Sequence, residues 1–214
     1  MNYNFKREWP LLAILAIPLI AAIAIYPHLP EQIPIHWNIR GEVDNYGSRA
    51  FGLLFLPLLN IAMYLFFVFL PKIDPKRANY LKFESSYLTI RYAFHIFFIL
   101  LFGVVMAASL GYTVDIGKWV AAGAAVLFII MGNIMGRVRH NYFVGFRFPW
   151  TLANEEVWVR THRFGSRLMV IGGVIALAGA IFTGKTTAFA ILMAGIFVPM
   201  IITAVYSYLI YKRI

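Results

Sequence analysis

Six long apolar runs follow one another along the sequence, and they limit what this chain can fold into. A helix needs about 20 residues to cross the hydrocarbon core of a bilayer. Open strands would leave backbone groups unpaired in lipid, and no alternating barrel pattern is present. We therefore predict an all-α membrane protein with six transmembrane helices, centred on residues 9–26, 51–70, 92–110, 119–135, 168–182 and 188–210.

The composition supports the membrane class and excludes several functions. Hydrophobic residues make up 61% of the 214-residue chain and charged residues 13%, far from the roughly half and one quarter of a soluble domain. The chain has no cysteine, which excludes disulfides and thiolate sites.

The first apolar run resembles a secretory signal, because Lys6 and Arg7 precede it, but the run is long and lacks a small-residue cleavage site. We predict that it is a retained helix.

Basic residues predict the orientation. Of the 19 Lys and Arg residues, fifteen fall on one side of the predicted spans and four, namely Arg40, Arg49, Lys118 and Lys185, on the other. The positive-inside rule then places both termini, residues 71–91 and residues 137–167 in the cytoplasm. The net charge of +10 lies entirely on that inner side. Anionic headgroups account for it, so we predict contact with membrane lipids and no direct binding of nucleic acid.

The long outer loop, residues 27–50, contains three prolines followed by turn-forming residues. We predict an ordered interfacial loop that recognises something outside the cell. A metal site built on His28, Glu31, His36 and Asp44 is the alternative, although the spacing matches no helical pair such as HExxH and no compact loop site. An enzyme site that uses His36, Asn38 and Asp44 is a related alternative. The candidate residues of this loop are Pro34, His36, Trp37, Asn38, Gly41 and Asp44.

The long inner loop, residues 137–167, is rich in Arg, Trp, Glu and His. Asn154 is a suitable N-cap, and the acidic residues after it suit a helix N-terminus, so a short cytoplasmic helix is predicted there. Glu155, Trp158 and His162 share one stripe of that helix. Glu155 and His162 are then either an acid and base pair or part of a structural lock on the inner helix ends.

The predicted spans carry few polar residues. No Asp, Glu, Lys or Arg lies near the middle of a span, which disfavours a proton relay or a small-solute transporter. His95 is expected to hydrogen-bond to a neighbouring helix. Small residues in the fourth and fifth spans predict that these two helices pack as an antiparallel hairpin; they are Gly132, Gly136, Gly172, Ala176 and Ala180.

Two blocks of the sequence resemble a known family. The block GNIMGRVRHNYFVGFRFPWTLANEEVWVRTHRFGSRL, residues 132–168, closely resembles the signature of the SdpI family of bacterial toxin-immunity integral membrane proteins. The block LPEQIPIHWNIRGEVDNYGSR, residues 29–49, is similar to the domain of unknown function often found before it. His140 replaces the Pro expected at its position, and Phe148 replaces the usual Thr.

The resemblance implies a non-enzymatic immunity protein without a cofactor or metal. Its implied partners are a secreted SdpC-like toxic peptide and a small winged-helix autorepressor captured at the membrane. We expect two units, residues 1–70 and residues 71–214. The positions that match the family motif are Asn141, Gly145, Arg147, Pro149, Trp150, Thr151, Glu155, Glu156, Trp158, Thr161, His162 and Arg163.

Overall fold

The computed structural model describes residues 5–214, with side chains from residue 8 onward, so Lys6 and Arg7 lie outside the described side chains. Within that range six helices are long and apolar enough to cross a membrane, which confirms the predicted class and number of spans. The elements in chain order are α1 (Phe5–Ile25), β1 (Gln32–Trp37), β2 (Val43–Ser48), α2 (Arg49–Ile73), α3 (Glu84–Ser109), α4 (Ile116–Met135), α5 (Pro149–Ala153), α6 (Glu155–Phe182) and α7 (Lys185–Tyr211).

Polar caps set where the spanning helices begin. The side chain of Ser48 accepts a hydrogen bond from the backbone N–H of Phe51 and starts α2. Asp115 accepts one from Lys118 and starts α4. Many large apolar side chains of the spanning helices are exposed on the outside of the bundle; Ile23, for example, is 78% exposed. The outward surface is therefore suited to lipid.

Helices α4, α6 and α7 pack closely because small residues line their contacts. A Cβ atom on Gly132 would lie 2.8 Å from the Cβ of Met169 in α6. A Cβ atom on Gly172 would overlap the backbone carbonyl of Gly195 in α7. Ala125 and Ala176 are completely buried between α4 and α6. The predicted packing of the fourth and fifth spans is thus confirmed.

The loop between α1 and α2 contains regular structure that the sequence did not predict. Strands β1 and β2 pair antiparallel, with Gln32 opposite Ser48 and Trp37 opposite Val43. Prolines exclude a helix but tolerate a strand at the edge of a sheet, and every strand of a hairpin is an edge. The segment is ordered, as predicted, whereas its description as a loop missed the hairpin.

Two predicted helix boundaries were wrong. The third span was placed from Tyr92, but α3 begins at Glu84, so Arg91 lies inside the helix instead of in the connection before it. The short cytoplasmic helix after Asn154 is not a separate element, because α6 continues from Glu155 into the fifth span without a break. Apolar residues before Arg91 and within residues 155–167 pack on the bundle and extend both helices.

The connections lie at two ends of the bundle. We call the end that carries β1 and β2 the hairpin end. The opposite end, with residues 74–83 and the segment between α4 and α6, is the loop end. A cluster of buried aromatic and aliphatic residues fills the interior near the loop end, with Trp158, Tyr80 and Tyr87 fully buried in it. The two family-like blocks of the sequence therefore lie at opposite ends of the molecule.

Candidate functional site

The hairpin turn at the hairpin end is held by side-chain hydrogen bonds. The side-chain oxygen of Asn38 accepts from the backbone N–H groups of Arg40 and Glu42. Gly41 has φ +71°, a conformation that favours glycine. The side-chain amide of Asn38 donates a hydrogen bond to the Glu42 carboxylate. This bond, with the positive charge of Arg40 nearby, keeps the pKa of the Glu42 carboxyl below its ordinary value. The turn is thus rigid and carries paired charges.

His36 and Asp44 face each other across the two strands. The Nδ1 atom of His36 lies 2.5 Å from a carboxylate oxygen of Asp44. Both side chains are exposed, with 66% and 42% of their surfaces accessible. Among the residues that the structure describes, no three His, Asp or Glu side chains gather in one place. The pair is a cross-strand contact that orients two polar groups, and the described chain adds no third ligand to it.

A cavity of about 890 Å³ lies under the hairpin. Six consecutive residues from Pro34 to Ile39 line it, together with Asp44. The remaining walls are the hairpin-end turns of α2, α3, α4 and α7, mainly aliphatic and aromatic side chains such as Phe55 and Leu192. Lys185, the first residue of α7, lies at the same cavity and approaches Gly41. The cavity is therefore apolar with a few polar groups at its edge.

At the loop end, Asn141 fixes the backbone at the start of the motif segment, by which we mean residues 141–163. It is completely buried, and its side-chain oxygen accepts from the backbone N–H groups of Phe143 and Val144. Its amide donates to the carbonyls of Arg139 and Val144. All the hydrogen-bonding capacity of this side chain is used within four residues. Asn141 is thus a loop-forming residue, as its sequence context suggests.

Helix α5 closes the middle of the motif segment. Pro149 occupies its first turn, where a missing N–H does not matter. The buried Thr151 hydroxyl donates to the carbonyl of Phe146 and accepts from the N–H of Phe148. The indole N–H of Trp150 donates to Ser207 in α7, at 2.6 Å. Together these contacts fasten the segment to the last spanning helix.

His162 is buried at the centre of the loop end. Its Nδ1–H donates to the carbonyl of Trp158, and its Nε2 accepts from the backbone N–H of Phe146 at 2.9 Å. The ring stacks on Trp158 with centroids 4.0 Å apart. Gly145 has φ +120°, and a Cβ atom there would overlap the same Nε2 atom. Both ring nitrogens are therefore occupied by backbone groups.

Glu155 does not meet His162, although both lie on one stripe of α6. Glu155 is exposed, whereas His162 has no accessible surface. The acid and base pair that the sequence allowed is thus not assembled. Glu156 instead pairs with Arg160, one turn further along α6, in an exposed contact at 2.5 Å. The exposed motif residues at the loop end are Arg147, Pro149, Glu155, Glu156 and Arg163.

Asp74 and His140 lie where the two loop-end connections meet. The buried Asp74 carboxylate accepts from the Tyr80 hydroxyl and from the backbone N–H of Tyr142, at 3.1 and 3.0 Å. His140 is 4% exposed and packs on Trp158. Burial, with Lys76 nearby, lowers the pKa of His140. Thr161 is also buried with an unpartnered hydroxyl.

A second buried polar group joins α1, α2 and α3. Arg91 has no accessible surface and binds both carboxylate oxygens of Glu8, at 2.9 and 2.5 Å. The Tyr64 hydroxyl donates to the same carboxylate. One turn further along α3, His95 lies 2.7 Å from the Asn60 side-chain oxygen. The predicted contact of His95 with a neighbouring helix is confirmed.

Comparisons with known proteins agree with both blocks. Residues 13–61 match a domain of unknown function, DUF1648, and residues 137–207 match the SdpI/YfhL protein family. The chain is 29% identical over 211 residues to the immunity protein SdpI of Bacillus subtilis (strain 168), covering 98% of both chains. The resemblance to the SdpI family is confirmed. No solved structure matches the chain.

Several buried polar residues were not found from the sequence. Glu8 and Arg91 were counted as inner-side charges, and Asp74 as an acidic residue of a connection. One signal was available for Arg91, because the apolar residues Tyr87, Ile90 and Phe94 continue the helical spacing before and after it. No comparable signal marks Asp74, whose partners lie 6 and 68 residues away.

Proposed function

We propose that this protein is an immunity protein of the cell membrane that protects its cell against a secreted SdpC-like toxic peptide. The observation that carries the proposal is the alignment to the Bacillus subtilis immunity protein over 98% of both chains. That alignment includes both loop blocks and all the spans, so it is not limited to one motif. Six apolar helices support a multi-pass protein.

The orientation is part of the proposal. Both termini and the loop end face the cytoplasm, and the hairpin end faces outward. The distribution of the basic residues supports this orientation, because the loop end carries most of them. A secreted peptide then meets the hairpin end first. The division into residues 1–70 and residues 71–214 is proposed as the functional one, with DUF1648 in the first unit and the SdpI/YfhL match in the second.

The loop end is proposed to bind a soluble winged-helix autorepressor when the toxin is bound. Its buried residues hold the segment in shape, which leaves the exposed ones for a partner. Arg147 and Arg163 present guanidinium groups, and Glu155 and Glu156 present carboxylates, and all four residues are exposed. Mixed charges of this kind favour a specific protein partner over a uniform anionic surface.

A non-enzymatic mechanism is part of the same proposal. The acid and base hypothesis needs a free nitrogen on His162, but backbone groups occupy both. The metal hypothesis needs more ligands than His36 and Asp44 supply within the described chain. Both observations favour recognition over catalysis. The relative is likewise named for immunity and not for a reaction.

Expression in a toxin-sensitive bacterium tests the immunity proposal. Cells that carry the full chain should survive purified SdpC-like toxic peptide at concentrations that kill cells with an empty vector. A membrane fraction probed for the protein controls for insertion. Death of both strains at the same concentration, with the protein verified in the membrane, would contradict the proposal.

The signalling part has its own test. A fluorescent fusion of a small winged-helix repressor encoded beside the gene should move from the cytoplasm to the membrane after toxin is added. Replacement of Glu155 and Glu156 by Lys should prevent the movement while survival is unchanged. A fusion that stays cytoplasmic in cells that survive would refute signalling and leave immunity intact.

A further inference from the structure

The cavity under the hairpin runs along the edge of a strand. Successive side chains of a strand point to opposite faces. The last four residues of β1, from Pro34 to Trp37, nevertheless all line this one cavity, followed by Asn38 and Ile39 of the turn. A cavity that meets both faces of a strand must follow its edge. Within the part of the chain that the structure describes, the sheet consists of β1 and β2, so no described strand lies beside the other edge of β1.

That edge offers backbone hydrogen-bonding groups to an incoming chain. A strand edge binds extended peptides through main-chain hydrogen bonds, and neighbouring pockets take alternate side chains. Pro34 lacks one donor, but Ile35, His36 and Trp37 each carry an N–H group. The register is also irregular between Pro34 and Trp37, which leaves Ile35 without a paired residue in β2.

The walls of the cavity suit apolar side chains. Phe51, Phe55, Leu56, Phe189, Leu192 and Met193 come from the hairpin-end turns of α2 and α7. A volume of about 890 Å³ lies within the range of roughly 300 to 1,000 Å³ that is usual for ligand pockets. It therefore holds a short segment of a chain, and not a folded domain.

The charges at the cavity favour a peptide over an anionic lipid. Its charged side chains are Asp44 and Lys185, one of each sign, with His36 beside Asp44. An anionic headgroup would instead be matched by an excess of basic residues. A peptide presents both donors and acceptors, and these groups offer both.

The cavity also lies between the two matched regions of the chain. Residues 13–61 supply the hairpin and the α2 wall, and residues 137–207 supply the α7 wall. Ligand sites occur preferentially at such boundaries between units. A segment bound here would touch both units at once.

We propose that the cavity binds a short, extended, apolar segment of the toxic peptide, which adds as a strand to the free edge of β1. This inference rests on the proposed immunity function and assigns its binding site. Apolar side chains of the segment fill the space between α2 and α7, and His36, Asp44 and Lys185 hold polar groups at the mouth.

Alkylation of single cysteines tests where the peptide binds, because the natural chain has no cysteine. Gly117 lines the cavity, and a Cβ atom there meets only Asp115, at 3.7 Å. Tyr46 is exposed on β2 and does not line the cavity. In nanodiscs of phosphatidylcholine and phosphatidylglycerol, purified SdpC-like toxic peptide should slow alkylation of Gly117→Cys severalfold and leave Tyr46→Cys unchanged.

A filled cavity provides the matching test in cells. Gly117→Trp adds a ring inside the cavity and should abolish protection against the same peptide. Gly103→Trp adds the same ring at an exposed position of α3, which lines a separate cavity between α3 and α4 and not the one under the hairpin, and should retain protection. If Gly117→Trp does not reach the membrane, the alkylation rates decide.

The outcomes separate this inference from the proposed function. Protection by the natural chain without slowed alkylation of Gly117→Cys would overturn the site and keep the function. Slowed alkylation without protection would support the site and refute immunity. Lipid could occupy the cavity instead. In that case Gly117→Cys would be alkylated slowly in nanodiscs and fast in detergent, and the peptide would not change either rate; this result would overturn the proposal. If the natural chain gives no protection and the peptide does not slow alkylation of Gly117→Cys, both the proposed function and the proposed site are overturned.

Discussion

Two residues on the same helical stripe, Glu155 and His162, have opposite surroundings, and the difference decides what each can do. Helical spacing predicts a shared face but not the depth of each position. Glu155 lies at the start of α6 beyond the packed bundle, and His162 lies two turns further in, under residues 143–148. The contacts of His162 support the second hypothesis for this residue, a structural lock on the helix ends.

Replacement of His162 should destabilise the loop end. His162→Ala removes the acceptor for the buried Phe146 N–H and the ring that stacks on Trp158. An unpaired buried donor costs about 1–3 kcal/mol, and loss of packing adds to it. Thermal unfolding in detergent should show a clearly lower midpoint for this variant.

The exposed neighbour Arg163 provides the control, since Arg163→Ala should change the midpoint little. Equal midpoints for His162→Ala and the natural chain would show that the ring does not hold this segment.

Buried His140 should make stability depend on pH. Its pKa in the folded protein lies below the ordinary value of about 6.5, so the unfolded chain binds the proton more readily. The stabilisation of the folded protein by neutral His140 is therefore complete above about pH 6.5 and declines as the pH falls below that value. Unfolding midpoints measured from about pH 7.5 to about pH 5 should fall less for His140→Gln than for the natural chain.

Exposed His28 serves as the comparison, because His28→Gln should keep the natural slope. A His140→Gln variant with the natural slope would refute the role of His140.

At the level of elements, the helices were more predictable than their ends. Long apolar runs require helix in a bilayer whatever their neighbours are. The start of α3 depends instead on tertiary packing, since Tyr87 and Ile90 are buried against other elements before the apolar run begins. The hairpin was missed for a related reason: its strands are short, β1 contains Pro34, β2 is mostly polar, and both pack against helices of the bundle.

The ion pair of Glu8 with Arg91 should hold α1 on the bundle. Removal of one partner from a buried pair typically costs about 3–5 kcal/mol, because the other charge is left uncompensated. Glu8→Gln should therefore lower the unfolding midpoint strongly. Glu156→Gln removes the same charge from the exposed pair with Arg160, where about 0–1 kcal/mol is expected.

Similar midpoints for these two variants would show that burial of the Glu8 pair contributes nothing. The sharper readout is proteolysis near the N-terminus, which should accelerate in Glu8→Gln alone.

For the whole molecule, the sequence predicted the number of spans and the pairing of the fourth and fifth, and the polar connections could be assigned only as loops. The loop-end interior could not be predicted, because it joins Asp74, Tyr80 and Tyr142 from separate connections. The cavity could not be predicted either, since its walls come from β1 and four helices. Both features depend on distances between segments that periodicity does not contain.

The proposed orientation predicts which end of the protein a reagent can reach from outside the cell. A membrane-impermeant maleimide added to intact cells should label Tyr46→Cys on the hairpin, whereas Arg139→Cys at the loop end should react only after permeabilisation. Both side chains are exposed in the folded protein, so accessibility to the reagent depends on the side of the membrane. The reverse pattern would invert the orientation and the assignment of both partners.

The Glu8–Arg91 pair also constrains the order of events during synthesis. The two residues are 83 positions apart, so Glu8 enters the membrane long before its partner has been made. Two further helices must be inserted before the carboxylate is neutralised. The first helix thus reaches its final place only when the third one arrives, and a nascent chain stopped after α2 would hold α1 loosely at the translocon.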